Sequence, residues 1–191
     1  MPAFWIDKTI DKLVECETIK EEEKELYSYG LQQGLIIIAN LFTTILIGFI
    51  FDMVWASVFF MTSYLPLRSF AGGYHAKTHF KCYLLSIVLT SVVLVAVRFV
   101  HWTSFLNLAL VLFAGVIIFI LAPVEDRNKP LDQSEIAVYK KWTRIILMLE
   151  LFFMILAKVT GLVQIELCIS ISVIVLSMML VIGRVKLKLT K

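Results

Sequence analysis

Long runs without a charged residue constrain this chain more than any other feature of its sequence. They cover residues 26–51, 53–67, 83–97, 99–124 and 167–183. A helix needs about 20 apolar residues to cross the hydrocarbon core of a bilayer, so several of these runs are long enough to span it. Hydrophobic residues make up 60% of the 191 residues and charged residues 17%, whereas soluble domains average about 45–50% and about 25%. The sequence therefore predicts an all-α, polytopic membrane protein.

We predict about six membrane helices, over residues 30–51, 53–67, 83–100, 104–122, 143–161 and 165–183. The second has 15 uncharged residues, which give a helix about 22 Å long where the hydrocarbon core is about 30 Å thick. The positive-inside rule nevertheless favours six crossings. With both termini in the cytoplasm, 16 of the 18 lysine and arginine residues lie in inner segments, and only Arg98 and Lys158 do not. The polar stretch 123–141 is then an inner, turn-rich connector.

A charged segment with periodic apolar residues precedes the first span. These residues recur largely at steps of three and four positions, as on one stripe of a helix; they are Phe4, Ile6, Ile10, Leu13, Val14 and Ile19. We predict one amphipathic helix here, lying on the membrane or against the bundle. The whole chain, 1–191, is then one membrane domain, with this helix at 1–28, a transmembrane bundle at 30–183 and a basic tail at 184–191.

The cysteine count and the net charge argue against two further classes of protein, disulfide-rich proteins and nucleic-acid-binding proteins. The three cysteines, Cys16, Cys82 and Cys168, are an odd number without a CxxC pair, which argues against a disulfide framework. The formal net charge is only +3, and the basic residues are not interleaved with aromatic ones. Nucleic acid is therefore not an expected partner, whereas the lipid bilayer is.

The densest group of reactive side chains lies between the second and third spans. It reads Arg68-Ser-Phe-Ala-Gly-Gly-Tyr-His-Ala-Lys-Thr-His-Phe-Lys-Cys82. The two glycines predict a turn before His75, and Cys82 falls where a membrane helix begins. A thiol near a helix N-terminus, beside Lys81 and close to a histidine, ionises more readily than a free thiol, and the thiolate is the nucleophile. The pattern is typical of nucleophilic catalysis by Cys82 with a histidine base.

Spacing alone leaves the identity of that base open. His75 and Cys82 are about 10 Å apart along the axis of a straight helix, whereas His79 lies three residues before Cys82 and meets it on a continuous helix. The three residues also form a His-x3-His-x2-Cys pattern that a zinc ion can use, but no fourth ligand is evident nearby. We predict neither a metal nor a cofactor. A loop with interfacial histidines and a buried, unreactive cysteine is a further alternative.

Charged residues within the apolar runs suggest a rival function. An acid such as Glu150 is costly inside a membrane segment and is by default a functional candidate. We predict that it forms an ion pair with Lys158, two turns further on, and that Glu166 reaches the outer interface. A small transporter or export component without peptidase chemistry would use Glu150 and Arg98 to line a path. A scaffold subunit without any chemistry is a third possibility.

The loop resembles one known family. The stretch Arg68-x3-Gly72-Gly73-x-His75-x6-Cys82-Tyr83, on a hydrophobic chain of this length, is similar to that of the AgrB family, the membrane endopeptidases that mature quorum-sensing propeptides. The resemblance extends to Gly30-Leu31-Gln32 in the first span and to segments 122–125 and 128–131. It implies that His75, rather than His79, is the catalytic histidine and that Cys82 is the nucleophile. It also implies supporting or substrate-binding roles for Gln32, Arg68 and Gly73.

The resemblance further implies an activity. Cys82 would cleave off the C-terminal tail of an AgrD-like propeptide and hold the remainder as a thioester, which an internal thiol or hydroxyl then closes to a thiolactone or lactone. Gln32 would donate a hydrogen bond to the developing oxyanion. A homodimer in the cell membrane, with both termini and the active site cytoplasmic, is the expected assembly.

Overall fold

The structure is a computed structural model that describes residues 2–16, 19–74, 79–100, 103–125 and 132–189. Within these ranges the chain forms seven α-helices: α1 (Pro2–Glu15), α2 (Lys24–Ile50), α3 (Val54–Ala71), α4 (His79–Phe99), α5 (Ser104–Leu121), α6 (Gln133–Val159) and α7 (Val163–Leu189). The described residues contain no β-strand, and their only strand-like feature is an isolated pairing between Gly72 and Val124. The all-α prediction is confirmed.

The chain divides into two compact units, Met1–Thr43 and Thr44–Lys191, and each is described by itself. In the first unit, Ile10 on α1 and Ile19 are buried against each other. The predicted N-terminal amphipathic helix is present as α1, but the predicted extent of 1–28 is too long, because α1 ends at Glu15 and α2 begins at Lys24. The Ile19 amide donates to the Leu13 carbonyl of α1 at 3.4 Å. The acidic residues Glu21–Glu23 form a short 3-10 turn, where the helix dipole of α2 stabilises negative charge.

The second unit is built around α7. This helix packs against α3, α4, α5 and α6, and it contributes to both apolar clusters of the unit. The first cluster joins α3, α5, α6 and α7 around residues such as Leu67, Ile118 and Leu176. The second joins α3, α4 and α7 around residues such as Phe60, Leu94 and Ile171. Because both clusters depend on α7, this helix is the common support for every other helix of the unit.

The outward faces of these helices are apolar. On α5, Phe105 is 86% exposed and Phe113 is 67% exposed, while Val111 and Ile118 on the opposite face are fully buried. A soluble protein rarely exposes a continuous apolar surface of this kind. Among the described residues, α2, α4, α5 and α7 are long and apolar enough to cross a bilayer. The chain is therefore a polytopic membrane protein, and the count of about six spans, which also requires α3 and α6, stays a prediction.

Helix α6 begins well before its predicted start at residue 143. Asp132 caps it, because its Oδ1 accepts a hydrogen bond from the Gln133 amide at 2.6 Å. In return, the Glu135 carboxylate accepts one from the Asp132 amide at 3.0 Å. Such a reciprocal capping box stabilises a helix N-terminus in a polar region. Much of the predicted connector 123–141 is therefore helical.

The acidic residues inside the bundle do not pair as predicted. The Lys158 ammonium lies 4.0 Å from Glu166 on α7 rather than beside Glu150, because eight residues along one helix separate two side chains by about 12 Å. Glu166 is buried rather than interfacial, and its carboxylate accepts a hydrogen bond from the Asn107 amide at 3.1 Å. The predicted ion pair between Glu150 and Lys158 is wrong.

We expect labelling of intact cells to test the six-span topology. In a background with Cys16, Cys82 and Cys168 replaced by serine, Glu125→Cys is expected to be protected from an impermeant thiol reagent, because it follows α5 on the side rich in lysine and arginine. Thr103→Cys, before α5, is expected to react. Reaction of the cysteine at position 125 in intact cells contradicts the predicted orientation, and its reaction after permeabilisation is the control for accessibility.

Candidate active site

A tight turn leads out of α3 toward the histidine-containing loop. The Gly72 amide donates to the Arg68 carbonyl at 2.9 Å and closes the end of the helix. Gly72 and Gly73 have φ values of 72° and 123°, in the region that side chains with a Cβ rarely adopt. A Cβ on Gly72 would also collide with the Val124 carbonyl oxygen. The two glycines are therefore required by the backbone path, and Gly73 has a structural role at the site.

The segment after α5 holds this turn in place through backbone hydrogen bonds. The Val124 amide donates to the Ala71 carbonyl at 2.9 Å, and the Gly73 amide donates to the Val124 carbonyl at 3.4 Å. Ala71 is fully buried and Val124 is 3% exposed. Because two backbone hydrogen bonds join buried residues here, the path of the chain is fixed up to Gly73.

Tyr74, the residue before His75, is held from three directions. Its amide donates to the Met179 carbonyl of α7 at 3.0 Å, and its own carbonyl accepts from Arg68 Nη2 at 2.7 Å. The Lys186 ammonium lies 4.6 Å from the centroid of its ring, a cation–π distance. The backbone that enters the histidine-containing loop is therefore anchored to both α3 and α7.

A glycine on α7 makes this anchorage possible. A Cβ on Gly183 would stand 2.9 Å from the Gly73 carbonyl carbon and 2.9 Å from the Tyr74 nitrogen, closer than packed atoms approach. Glycine inside a helix lowers the stability of the helix by about 1 kcal/mol relative to alanine. Here its missing side chain leaves room on α7 for the backbone of Gly73 and Tyr74. Sequence reasoning missed Gly183, although an isolated glycine in an apolar helix is a signal of close packing.

The planar guanidinium of Arg68 donates two hydrogen bonds to different acceptors. Nη1 donates to the Tyr64 hydroxyl at 3.0 Å, while Nη2 donates to the Tyr74 carbonyl. Both acceptors belong to the chain itself, so these two donors are already used within the protein. Arg68 therefore supports the backbone that leads into the histidine-containing loop. A lysine at this position could not replace it, because a single ammonium group cannot reach both acceptors.

Cys82 lies in the first turn of α4, as predicted, and is a free, partly buried thiol. α4 begins at His79, which places Cys82 three residues after the first residue of the helix. The other two cysteines have different surroundings, since Cys16 is exposed on the first unit and Cys168 is fully buried.

The remaining predicted site residues lie partly outside the described chain. His75 falls outside the described residues, and the same holds for the side chain of His79, so the choice of base and the zinc alternative rest on sequence. Gln32 lies on α2 in the first unit, where its amide donates to the Ser28 hydroxyl at 3.5 Å. Within the second unit, Arg68 and Gly73 lie at the turn that ends α3, and Cys82 lies in the first turn of α4.

Comparison with known proteins identifies the family. The family described as AgrB, Accessory gene regulator B, matches residues 6–182. AgrB-like protein 2 of Clostridium perfringens strain 13 is 27% identical over 142 residues, which are 68% of this chain and 64% of that protein. A further AgrB-like protein, from C. perfringens strain SM101, is 26% identical over 162 residues, covering 80% of this chain and 75% of that protein. No solved structure matches the chain.

These matches agree with the residues that carried the resemblance. The family match spans α2 to most of α7 and includes the whole stretch from Arg68 to Cys82. This chain spans 64% of the length of the first relative, and both relatives are known as AgrB-like rather than by a demonstrated activity. From a family match over most of the sequence, on an all-α membrane scaffold, we conclude that the chain belongs to the AgrB family.

Proposed function

We propose that this protein is a membrane cysteine endopeptidase that removes the C-terminal tail of an AgrD-like propeptide. Cys82 is the nucleophile and His75 the general base. The observation that most supports the proposal is the anchoring of Tyr74, because hydrogen bonds to Arg68 and to the Met179 carbonyl fix the residue directly before His75. A catalytic group is effective when its backbone is held in a productive geometry rather than left to diffuse.

The proposed reaction proceeds by acyl transfer. His75 accepts the thiol proton as the Cys82 sulfur attacks a backbone carbonyl of the propeptide, and the carbonyl π electrons move to the oxygen. Collapse of this intermediate re-forms the carbonyl and expels the tail amine, which takes the proton from His75. His75 then takes the proton of an internal thiol or hydroxyl of the bound peptide as that group attacks the thioester. The bond to the Cys82 sulfur breaks, the sulfur regains the proton from His75, and a thiolactone or lactone is closed. Cyclisation exceeds hydrolysis only if water is kept from the thioester.

The surroundings of Cys82 support this order of events. The thiol is partly buried, and α4 continues from it into an apolar helix. A site recessed at the surface of a bilayer limits access of water to the intermediate. We also propose that both termini and the site face the cytoplasm, that the propeptide and the cell membrane are the partners, and that Gln32 donates a hydrogen bond to the oxyanion.

The rival function, a transporter without peptidase chemistry, receives less support. Its charged path was expected to include Glu150 and Arg98, but Arg98 Nη1 donates to the Phe51 carbonyl at 2.8 Å. Glu166 pairs with Lys158 and Asn107 within the bundle. Charges that satisfy one another are typical of structural contacts between membrane helices.

A reconstituted assay tests the proposed function. The full-length protein in liposomes of phosphatidylethanolamine and phosphatidylglycerol is incubated with an AgrD-like propeptide that has an acidic C-terminal tail, and products are identified by mass spectrometry. We expect a released tail and a cyclic product whose mass is that of the remaining peptide less one water. Movement of intact peptide across the liposome membrane without cleavage would instead support the transporter.

Replacing Arg68 separates support of the loop from recognition of substrate charge. Arg68→Lys keeps the positive charge but cannot reach both the Tyr64 hydroxyl and the Tyr74 carbonyl, so we expect kcat to fall on the order of 10-fold to 100-fold. Arg98→Lys is the matched control, because its contact with Phe51 lies at the other end of α4. Full activity of Arg68→Lys, with cleavage weakened only by salt, contradicts the support role and indicates a charge contact with the propeptide.

A further inference from the structure

A pocket lies at the end of the second unit that is farther from Cys82. Its volume is about 320 Å³, and it is lined by Asp52, Met53, Val97, Arg98 and Gln164. These residues belong to the turn before α3, the last turn of α4 and the first turn of α7. Cys82 and Arg98 are about 24 Å apart along the axis of α4. This Arg98 pocket is therefore separate from the candidate active site.

The lining of the Arg98 pocket is divided into an apolar floor and a polar rim. Met53 and Val97 are buried, whereas the residues that bear its polar side chains, Asp52, Arg98 and Gln164, are exposed. A pocket of about 300 Å³ is at the small end of those that bind small molecules. It can hold a compact polar group whose remainder lies outside.

The backbone around the pocket fixes the position of its two charged residues. Asp52 has a φ value of 55°, in the left-handed region that aspartate and asparagine adopt more readily than most other side chains. Arg98 Nη1 donates to the Phe51 carbonyl at 2.8 Å, which ties the end of α4 to the residue before Asp52. A guanidinium has five N–H donors, so this contact uses only a part of its capacity.

The two charges of the pocket are of opposite sign and are not joined to each other. Among the ion pairs formed by the described residues, none links Asp52 to Arg98. A guanidinium matches the geometry of a phosphate, and a carboxylate accepts charge-assisted hydrogen bonds from a primary ammonium. A ligand that carries both a phosphate and an ammonium group complements this pocket.

The surroundings of the pocket indicate that this ligand is a lipid. Residues that neighbour its lining in sequence are apolar and face outward, including Ile50, which is 80% exposed, and Trp55, which is 72% exposed; Phe49 and Phe99 are also exposed. Tryptophan is enriched where a membrane helix meets the headgroup region. A lipid whose headgroup occupies the pocket would lay its acyl chains on this apolar surface.

We propose that the Arg98 pocket binds the headgroup of one phosphatidylethanolamine molecule. Arg98 donates to the phosphate, Asp52 accepts from the ammonium, and the Gln164 amide donates to a further phosphate oxygen. Met53 and Val97 contact the carbon atoms of the headgroup. The site is independent of the proposed peptidase function, and by the predicted orientation it lies in the outer leaflet.

Competition between lipids tests this proposal. Full-length protein, delipidated in detergent, is mixed with equal amounts of phosphatidylethanolamine, phosphatidylcholine and phosphatidylglycerol with identical acyl chains, and bound lipids are counted by native mass spectrometry. We expect one phosphatidylethanolamine to be retained at least about 10-fold more than either other lipid, as for one charge-assisted hydrogen bond. Phosphatidylcholine has no N–H group for Asp52, and phosphatidylglycerol has no ammonium group.

Two substitutions assign the preference to this pocket. Asp52→Asn keeps a residue that tolerates the left-handed conformation but removes the charge, so phosphatidylethanolamine and phosphatidylcholine should then bind within about twofold of each other, since the charge-assisted bond is lost. Arg98→Gln should weaken retention of phosphatidylethanolamine by about 10-fold, and Arg98→Lys should retain more of it than Arg98→Gln. Lys188→Gln, at the opposite end of α7 from Gln164, is the control and should bind as the wild type does.

Three results would overturn the proposal. The first is equal retention of the three lipids by the wild type, or an unchanged preference in Asp52→Asn. The second is strongest retention of phosphatidylglycerol, which would indicate an anionic-lipid site that uses Arg98 alone. The third is displacement of phosphatidylethanolamine by an equal concentration of glycerophosphoethanolamine, because the pocket would then select a soluble zwitterion without need of the acyl chains.

Discussion

Cys82→Ala and Cys82→Ser are expected to lower cleavage of the propeptide by about 10⁴-fold to 10⁶-fold, as for loss of a catalytic nucleophile. Serine at this position is far less ionised than the thiol and does not replace it. His75→Ala should be comparably inactive, because the thiol proton must leave during attack and a proton must reach the amine during collapse. Initial rates in liposomes, followed by mass spectrometry of the released tail, measure both effects.

Two controls accompany these variants. His79→Ala should retain substantial activity, since the resemblance assigns catalysis to His75. Cys168→Ala removes a buried thiol of α7 that donates to the Ala56 carbonyl of α3. This variant should cleave at close to the wild-type rate in protein that is correctly inserted. A zinc site predicts a different outcome, in which His75→Ala, His79→Ala and Cys82→Ala are all damaging and chelators inhibit the wild type.

Gly183→Val is expected to reduce cleavage by at least about 100-fold although residue 183 belongs to a different helix from Cys82. Even a Cβ at this position would stand 2.9 Å from the backbone of Gly73 and Tyr74, so the loop must move away from α7. A displacement of about 1 Å at a catalytic site can cost on the order of 10²-fold in rate. We expect Gly183→Ala to give a smaller loss in the same direction.

The matched control for this prediction is Gly115→Ala. Gly115 also lies inside an apolar helix of the second unit, but a Cβ there would meet no atom within 4 Å. It should preserve activity and raise stability slightly, because alanine is the better helix former. Wild-type kcat for Gly183→Val, in protein that inserts and alkylates normally at Cys82, contradicts the proposed docking of the loop on α7.

The helices were largely predictable because the bilayer imposes a strong and local requirement on sequence. The span predicted at 104–122 corresponds to α5, Ser104–Leu121, since an uninterrupted apolar run has one plausible conformation in lipid. Prediction failed where polar contacts set the boundary. The capping box at Asp132 begins α6 in a charged segment, and the turn after Glu15 interrupts a pattern that reads as one helix.

The candidate site was predictable only in its reactive residues. Cys82 stands out by its position at the start of α4, and Gly72 and Gly73 stand out as a turn. Gly183 did not, because its importance comes from a contact with Gly73 and Tyr74, which are distant in sequence. The same limitation explains the error at Lys158, whose partner was sought on its own helix while Glu166 on α7 lies 4.0 Å away.

The most direct test of the central claim is detection of the thioester on Cys82. A propeptide whose internal nucleophile is replaced by alanine cannot cyclise, so the acyl-enzyme should accumulate after the tail leaves. Intact-mass spectrometry of an acid-quenched reaction is expected to show one added mass equal to that of the N-terminal part of the peptide less one water. Digestion should place it on Cys82, and hydroxylamine should remove it. Release of the tail with no adduct on Cys82, together with cleavage by Cys82→Ala, would contradict the account.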